Sequence, residues 1–326
     1  MHHTIRFGQT NIFVKRIPVT AVEYDNLFST KNFYNLPTSC HYGVVGSPGF
    51  GGFRELVTHL KTTHWVLAGE VPNFPLMYHY RLMPVSGRCE NVDMEPWGDN
   101  TWGGNTNVRK YVLDRVNASH ELVLFLEHIP HVLETWLEKN PNTLQRLLNH
   151  LRKTIAFLRN KGLIHFDAHF RNILTDGDQI YLTDFGLVLD KHFALAKAEA
   201  SFFEENTLYD YGEILRNLGH LIRAPYELSS GEDKCRMMEK YSIKAGLPRH
   251  EVGSILLDNI EQISAEGDLQ LDQFYVNCIV RYRSIITLMQ GFFSDLWGNN
   301  NKDTKLPHAR LQRLLKETDF LADDGS

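Results

Sequence analysis

The residues best suited to chemistry lie in one stretch between positions 165 and 186. His165, Asp167 and Asn172 come first, and Asp184-Phe185-Gly186 begins twelve residues after Asn172. Two carboxylates and an amide in this order suit phosphoryl transfer from a metal-bound nucleotide. One carboxylate orients or deprotonates an acceptor hydroxyl, and the other two groups hold the metal ions that bridge the phosphates. Six specified positions, each matched by chance about one time in twenty, make an accidental match rare.

The sequence around these residues predicts a β-hairpin. Ile173-Leu174 and 180–183 are short strand-like runs, and Asp176-Gly177 supplies the turn between them. Acidic residues at both open ends of such a hairpin can converge on one metal ion. The alternative is a strand end and a turn whose acidic side chains face water.

These motifs resemble those of the protein-kinase-like superfamily, which includes protein kinases and the small-molecule kinases related to aminoglycoside and choline phosphotransferases. The resemblance implies that Asp167 is the catalytic aspartate and that Asn172 and Asp184 bind Mg²⁺. It also implies ATP as the phosphoryl donor and a hydroxyl group as the acceptor.

Two residues depart from the protein-kinase pattern. His169 stands where serine/threonine kinases usually carry lysine. Antibiotic and choline kinases carry histidine there, as this chain does. Phe166 replaces the arginine that would pair with a phosphorylated activation loop. The first departure leaves the acceptor class open. The second argues against activation by loop phosphorylation.

Lys15 is the candidate phosphate-binding lysine. In the second predicted strand it shares a face with Phe13 and Ile17, so it can point inward. A buried lysine needs a carboxylate to stay charged, and Glu55 in a predicted helix is the best partner. The resemblance implies that this pair positions the α- and β-phosphates, although Phe13 stands where an alanine normally packs on adenine. An exposed lysine on a strand edge is the alternative.

A glycine-rich segment, 42–52, follows the lysine strand. The glycine-rich loop of the family should lie upstream of Lys15, where the chain has room for only one hairpin. The segment contains Gly49 and Gly51, and its backbone amides can form an anion-binding nest that leads into the next helix. The nest and a flexible surface loop are equal alternatives for Gly49 and Gly51.

Two more strands are predicted, over 76–83 and 121–126. The second ends at Glu127-His128-Ile129-Pro130, which resembles the hinge of kinases. The resemblance implies that backbone amides from Glu127 to Ile129 bind the adenine edge.

An insertion, 84–119, separates these two strands. It contains Trp97 and Trp102, each followed by glycine, and a short predicted helix around 108–116. We expect the insertion to pack on the small sheet, because aromatic side chains are mostly buried. An acceptor or partner surface is the alternative.

The rest of the chain is predicted to be helical. Asn140-Pro141 opens a helix that Lys161-Gly162 ends. An apolar stripe along it is expected to be core: Leu144, Leu147, Leu148, Leu151, Ile155 and Leu158. Later helices are predicted over 193–205, 209–221, 234–245, 249–263, 271–296 and 309–318. Asp210 is either an anchor between its helix and the catalytic loop or a surface acid.

Composition excludes several classes of function. The chain has 326 residues, 43% of them hydrophobic, and a formal net charge of −5. A nucleic-acid binder would normally carry a basic patch, so we expect neither a nucleic-acid nor a membrane partner. The cysteines at 40, 89, 235 and 278 form no paired motif, which favours reduced thiols in a cytoplasmic protein.

We therefore predict a soluble α+β protein with the bilobal protein-kinase-like fold. No secretion signal precedes the first strand, and the apolar stretch 275–293 carries two arginines, so it is read as a buried helix. A β-rich lobe is expected over 1–129 and a helical lobe over 130–326, in a monomer that uses ATP and Mg²⁺. A protein serine/threonine kinase-like enzyme is the leading hypothesis. The alternatives are a small-molecule kinase and a nucleotide-binding pseudokinase that acts as an interaction module.

Overall fold

The computed structural model describes residues 2–44, 47–85 and 102–321. This part of the chain mixes helices with three small antiparallel sheets. None of its helices is both long and apolar enough to cross a bilayer. The predictions for Cys89 and Trp97 lie outside the described residues.

The largest sheet has four strands in the order β1-β2-β4-β3. The strands are β1 (His2–Phe7), β2 (Thr10–Val19), β3 (Met77–Pro84) and β4 (His120–Glu127). Strand β2 continues through Pro18 to Val19. Beyond Lys15, β2 pairs only with β4, because β1 reaches no further. A proline, which has no N–H group to donate, is tolerated where a strand has one neighbour.

Helix α2 (Gly52–Leu67) covers this sheet and contributes to two cores. The short helix α1 (Ala21–Tyr24) precedes it. Phe53 and Leu56 of α2 pack with apolar residues of β2, β3 and β4 in a small core. Trp65, near the other end of α2, belongs to a much larger core that includes the helices of the second half. Glu55 lies in the first turn of α2 and is buried.

The described part of the insertion packs on both the sheet and the helical region. Helix α3 (Thr106–Val116) lies against β2, as expected. Trp102, however, is 4% exposed and joins the larger core. The amide of Gly103 donates to the carbonyl of Asn300 at 2.8 Å, just beyond the last long helix. The insertion therefore links the sheet to the helical half.

The second half of the described chain is mainly helical. Its helices are α4 (Leu133–Lys139), α5 (Leu144–Asn160), α6 (Lys197–Glu205), α7 (Tyr209–His220), α8 (Arg223–Leu228), α9 (Gly231–Lys240), α10 (Arg249–Asp258), α11 (Ile260–Glu266), α12 (Gln273–Gly298) and α13 (His308–Glu317). All six apolar residues predicted for the α5 stripe are buried. The helix predicted from residue 193 begins at Lys197, because the backbone of Ala196, just before it, is extended. The helix predicted over 249–263 is two helices that meet at Asn259. Helices α4 and α8 were not predicted.

Short strands position the motif residues. Strands β7 (Ile173–Thr175) and β8 (Ile180–Leu182) form the predicted hairpin, and β5 (His131–Val132) pairs with β7. Asp176 accepts hydrogen bonds from two amides of the hairpin loop, those of Asp178 and Gln179, at 2.9 Å. Strand β6 (Leu163–Ile164) pairs with β9 (Leu189–Asp190). The loop from 165 to 172 and the 183–188 turn thus lie between paired strands.

Candidate active site

Asp210 anchors the loop that carries Asp167. Its two carboxylate oxygens accept hydrogen bonds from the amides of His165 and Phe166, at 2.7 and 2.9 Å. Phe166 has a φ of 64°, a left-handed conformation that bulky residues rarely adopt. Strained backbone of this kind persists where the surroundings fix it, as Asp210 does here. The sequence left Asp210 as either an anchor or a surface acid, and the structure shows that it is the anchor.

Asp167 and Asn172 contact each other. The Nδ2 of Asn172 donates to Oδ2 of Asp167 at 2.7 Å and to the Asp167 carbonyl at 3.3 Å. Both bonds use the amide nitrogen, so Oδ1 of Asn172 is available to a cation. Burial, together with the negative charge of Asp184, raises the pKa of Asp167 to about 7. Because this pKa lies near neutrality, a cation that binds nearby readily shifts the Asp167 carboxyl group to its charged form.

Lys15 lies between two carboxylates. Its Nζ is 2.5 Å from Oε1 of Glu55 and 2.8 Å from Oδ1 of Asp184. Burial opposes a charge on Lys15, but the two carboxylates raise its pKa above the ordinary value. Burial also disfavours charge on the acids, yet Lys15 lowers the pKa of Glu55 and brings that of Asp184 to about 2. All three groups are therefore charged at neutral pH, and the expected Lys15–Glu55 contact is present.

Phe185 fixes the turn that carries Asp184. The Phe185 ring is fully buried and packs against the rings of His59, Phe74 and His165. Asp184 itself has a φ of 63°, again left-handed. The aromatic contacts and the Lys15 ion pair together hold its carboxylate toward the site.

The donor set suits a cation that arrives with phosphates. No group of three acidic, histidine or cysteine side chains in the described ranges could hold a metal ion. Asp184 lies close enough to Asp167 for its charge to raise the pKa of Asp167, and Asn172 adds an amide oxygen. Mg²⁺ is typically bound by one or two carboxylates, with phosphate oxygens and water completing its shell. The residues present fit that arrangement.

Two cavities meet at Asp167. The first, which we call the lysine cavity, has a volume of about 450 Å³ and is lined by Lys15, Asp184 and the glycine-rich segment. The second, the helical cavity, has a volume of about 710 Å³ and is walled by α4, α7, α8 and α12. Asp167 and Gly43 line both. A group entering from one cavity would therefore meet a group from the other at the Asp167 carboxylate.

The glycine-rich segment lies over the lysine cavity. Gly49 and Gly51 both line it and have positive φ values, 73° and 101°. A Cβ atom on Gly49 would lie 3.2 Å from the Gly186 carbonyl oxygen, so only glycine allows this close approach to the Asp184 turn. The amide of Gly52 already donates to Glu23 at 3.1 Å, which removes one donor from the predicted anion nest.

The predicted hinge residues lie apart from both cavities. The Glu127 amide donates to the Leu76 carbonyl at 2.8 Å, and its carboxylate accepts from the Leu76 amide at 3.1 Å. Ile129 is 9% exposed. Because the Glu127 amide already donates to Leu76, it is not available to an adenine edge. The prediction of a contact with adenine is therefore left with His128 and Ile129.

Sequence reasoning missed Arg115, which also lines the lysine cavity. Its Nη1 donates to the Pro48 carbonyl at 2.6 Å, within the glycine-rich segment. It also stacks on Tyr111, at 5.5 Å from the ring centroid. Arg115 lies on α3, in the insertion, so its distance from Lys15 in sequence hid it. Its position on α3 follows no sequence pattern that would mark a binding residue.

A buried ion pair fastens the segment that follows Gly186. Arg54 of α2 donates from Nη2 to Oε1 of Glu199 on α6 at 2.6 Å, and the two side chains are 1% and 2% exposed. Its guanidinium also lies over the rings of Phe50 and Phe193, at 5.1 and 5.3 Å. Since α2 also carries Glu55, this pair ties the lysine partner to the segment beyond Asp184.

Phe166 sits in a cluster of rings in the same region. Its ring centroid is 5.6 Å from that of Phe202 on α6 and 5.0 Å from that of Tyr209 on α7. His41 and Tyr42 complete the cluster, and Nδ1 of His41 lies 2.6 Å from the Leu187 carbonyl oxygen. Packing of rings therefore holds this segment around Phe166.

A scan against protein-family models and a search of the curated proteins find no match for this chain. The case for a function rests on the geometry described above.

Proposed function

We propose that this protein is an ATP-dependent phosphotransferase of the protein-kinase-like type, which moves the γ-phosphoryl group to a hydroxyl. The observation that carries the proposal is the contact of Lys15 with both Glu55 and Asp184, beside the hydrogen-bonded pair of Asp167 and Asn172. A strand lysine paired with a helix glutamate, a metal-binding aspartate and a loop aspartate with an asparagine are the parts that kinases use.

Each residue has one task in this proposal. Lys15, held by Glu55, positions the α- and β-phosphates. Asn172 and Asp184 hold Mg²⁺, whose charge neutralises the phosphates. Asp167 accepts a hydrogen bond from the acceptor hydroxyl and aims its oxygen at the γ-phosphorus. Because the protein does little covalent chemistry in such a reaction, positioning and charge stabilisation supply most of the rate.

The bilobal architecture is part of the proposal. The separate small core of β2, β3, β4 and α2 supports a sheet-rich lobe that ends near residue 129. The larger core supports a helical lobe over 130–326, although it also takes in a dozen buried residues between positions 34 and 111, among them Tyr42 and Trp65. The lysine cavity lies between residues of both regions, where a nucleotide would bind.

Thermal unfolding with and without Mg-ATP tests the proposal. A ligand at a hundredfold excess over its Kd stabilises a protein by about 2.7 kcal/mol, so the wild type should show a clear rise in Tm. Asp184→Ala should lose this rise, because it removes a metal ligand and one partner of Lys15. Asp178→Ala is the control, since that side chain is 89% exposed on the hairpin loop. An equal Mg-ATP response in wild type and Asp184→Ala would contradict the metal assignment. Stabilisation without transfer to any acceptor would favour the pseudokinase alternative.

Gly43→Ala should impair transfer because Gly43 lines both cavities. It has a φ of 64°, and an added Cβ would lie 3.0 Å from Leu187 Cδ1 and 3.3 Å from Asp167 Oδ1. We expect kcat to fall about tenfold or more, since small displacements of a catalytic group are costly. Gly267→Ala is a matched control, because Gly267 has nearly the same backbone angles but open space around it. The two variants share the cost of the positive φ, and Gly43→Ala adds the crowding against Leu187 and Asp167. Similar kcat values for both would show that Gly43 has no special role.

A further inference from the structure

The helical cavity carries cations that the proposed transfer does not use. Arg171 and Arg223 both line it. Arg223 is half-buried, and only one hydrogen bond to a described residue is found for its five N–H groups, from Nε to the His220 carbonyl at 3.2 Å. Arg171 forms no ion pair or hydrogen bond with a described residue. Two guanidinium groups therefore offer donors to whatever enters the cavity.

Among the described residues, the carboxylates of the cavity form no ion pair with these two arginines, although Glu134 and Glu227 lie close enough to Arg223 for their charges to act on its pKa. Glu213, the buried acid, is engaged by Arg216 through two hydrogen bonds of 2.6 and 2.8 Å. Glu227, 46% exposed, lies 3.4 Å from the more exposed Arg249. Exposed charges are screened by solvent, so Glu227 and the exposed Arg171 count for less inside the cavity than the half-buried Arg223 does.

Glu134 and Glu138, on α4, are the other acids of the wall. Burial and the charges of Glu134 and Glu227 raise the pKa of Glu138, which places these three acids together. Neither Glu134 nor Glu138 forms a side-chain ion pair with a described arginine. The acids of α4 and α8 therefore lie near Arg223, which is itself on α8, whereas Arg171 lies in the loop that carries Asp167.

The pKa of His220 reflects the positive charges around it. Burial lowers its pKa, and the positive charges of Arg216, Arg223 and Arg171 lower it further, to about 3. The His220 imidazole is therefore neutral at physiological pH, and the guanidinium groups set the local potential.

We propose that the phosphoryl acceptor is a small alcohol that also carries an anionic group, a phosphate or a carboxylate, bound by Arg171 and Arg223. This inference rests on the proposed phosphotransferase function. Guanidinium groups bind both kinds of anion through paired hydrogen bonds, which fixes the orientation of the ligand. The hydroxyl of the acceptor then lies at Asp167, which the cavity shares with the lysine cavity.

The size and walls of the cavity favour a small molecule over a polypeptide. Its volume of about 710 Å³ lies within the range of pockets that enclose small ligands. The rings of Phe293 and Trp297 line it and offer apolar contact to a carbon skeleton. Trp297 is 52% exposed, so this side of the cavity has a ring that a ligand can cover.

The transfer step balances without a further reactant. The acceptor hydroxyl oxygen forms a bond to the γ-phosphorus, and the bond from that phosphorus to the β–γ bridging oxygen breaks. ADP leaves with the electron pair of that bond. The hydroxyl proton passes to Asp167 and then to water. The products are the phosphorylated acceptor, ADP and a proton.

The test uses the whole 326-residue chain and labelled ATP with Mg²⁺. A cell extract is separated into protein, small molecules retained on an anion exchanger, and small molecules that pass through it. Each fraction is offered as acceptor. We expect label to enter the retained fraction only. Treating that fraction with alkaline phosphatase before the assay distinguishes the two anions, because it removes phosphate monoesters and leaves carboxylates intact.

The arginines are tested with the retained fraction. Arg171→Ala/Arg223→Ala should raise the apparent KM for acceptor by about 10- to 100-fold, the loss expected for hydrogen bonds to a charged group. Turnover at saturation should change little, and Arg223→Lys should give an intermediate KM. Arg236→Ala, an exposed arginine on α9 outside the cavity, is the control.

Label confined to protein or to unretained molecules would overturn the proposal, and so would an unchanged KM in the double variant. The Mg-ATP stabilisation of the same preparations separates the two levels. If Mg-ATP stabilises the wild type and the retained fraction is not labelled, the anionic acceptor is wrong and nucleotide binding stands. If Mg-ATP gives no stabilisation, the phosphotransferase proposal fails and the acceptor inference fails with it.

Discussion

Asp167→Asn is expected to lower phosphoryl transfer by about 10²- to 10⁴-fold, the usual contribution of a positioned acid–base group. Asparagine keeps the size of the side chain and can still accept the hydrogen bond from Asn172 Nδ2. It cannot take a proton from an acceptor hydroxyl. The variant should therefore fold and bind Mg-ATP as the wild type does while turnover falls.

Steady-state transfer from labelled ATP, together with Mg-ATP thermal shifts, measures the two effects separately. Asp258→Asn is a suitable control, because Asp258 is an exposed acid at the end of α10. If Asp167→Asn retains wild-type turnover, Asp167 is not the catalytic aspartate. If it loses the Mg-ATP shift as well, its main role is in the nucleotide site.

Glu199→Ala is expected to lower the free energy of unfolding by about 3–5 kcal/mol, because it leaves the Arg54 guanidinium buried without its partner. Arg54 is only 1% exposed, and its remaining side-chain hydrogen bond goes from Nε to the Thr30 carbonyl at 2.8 Å. Chemical denaturation monitored by circular dichroism measures the change.

Two comparisons make this result specific. Asp233→Ala breaks an exposed ion pair with Arg236 of similar length, 2.7 Å, and should cost less than about 1 kcal/mol. Arg54→Met/Glu199→Leu removes both buried charges and should recover most of the lost stability, since apolar pairs often replace buried ion pairs without loss. A small effect of Glu199→Ala would mean that Arg54 reaches water when its partner is gone.

Local patterns were enough to predict several elements of the fold. The stripe of α5 repeats at helical spacing over 144–158, and all six of its residues are buried. Asp176-Gly177 between two apolar runs predicted the β7–β8 hairpin. The Lys15–Glu55 contact followed from a more general rule, that an inward lysine needs a carboxylate. Each of these signals comes from residues that are close in the sequence or from a single pair of residues.

Other features arise only when distant segments meet. Arg54 and Glu199 are separated by 145 positions, and neither residue lies in a pattern that marks a buried ion pair. Arg115 reaches the lysine cavity from the insertion, and the anchoring role of Asp210 depends on where α7 packs. The break at Asn259 between α10 and α11 has no proline or glycine to announce it. Helices α4 and α8 have only seven and six residues, too short to show a period.

The ring cluster around Phe166 has a consequence for control. The contacts of the Phe166 ring form when the chain folds. A phosphate added elsewhere on the segment would not strengthen them, because a phenylalanine side chain cannot bind phosphate. Under the proposed function, the amount of active enzyme therefore equals the amount of folded protein. Changes of 1–2 kcal/mol in folding energy can alter cellular abundance several-fold. A destabilising mutation outside both cavities would then change the amount of active enzyme, with kcat per folded molecule unchanged.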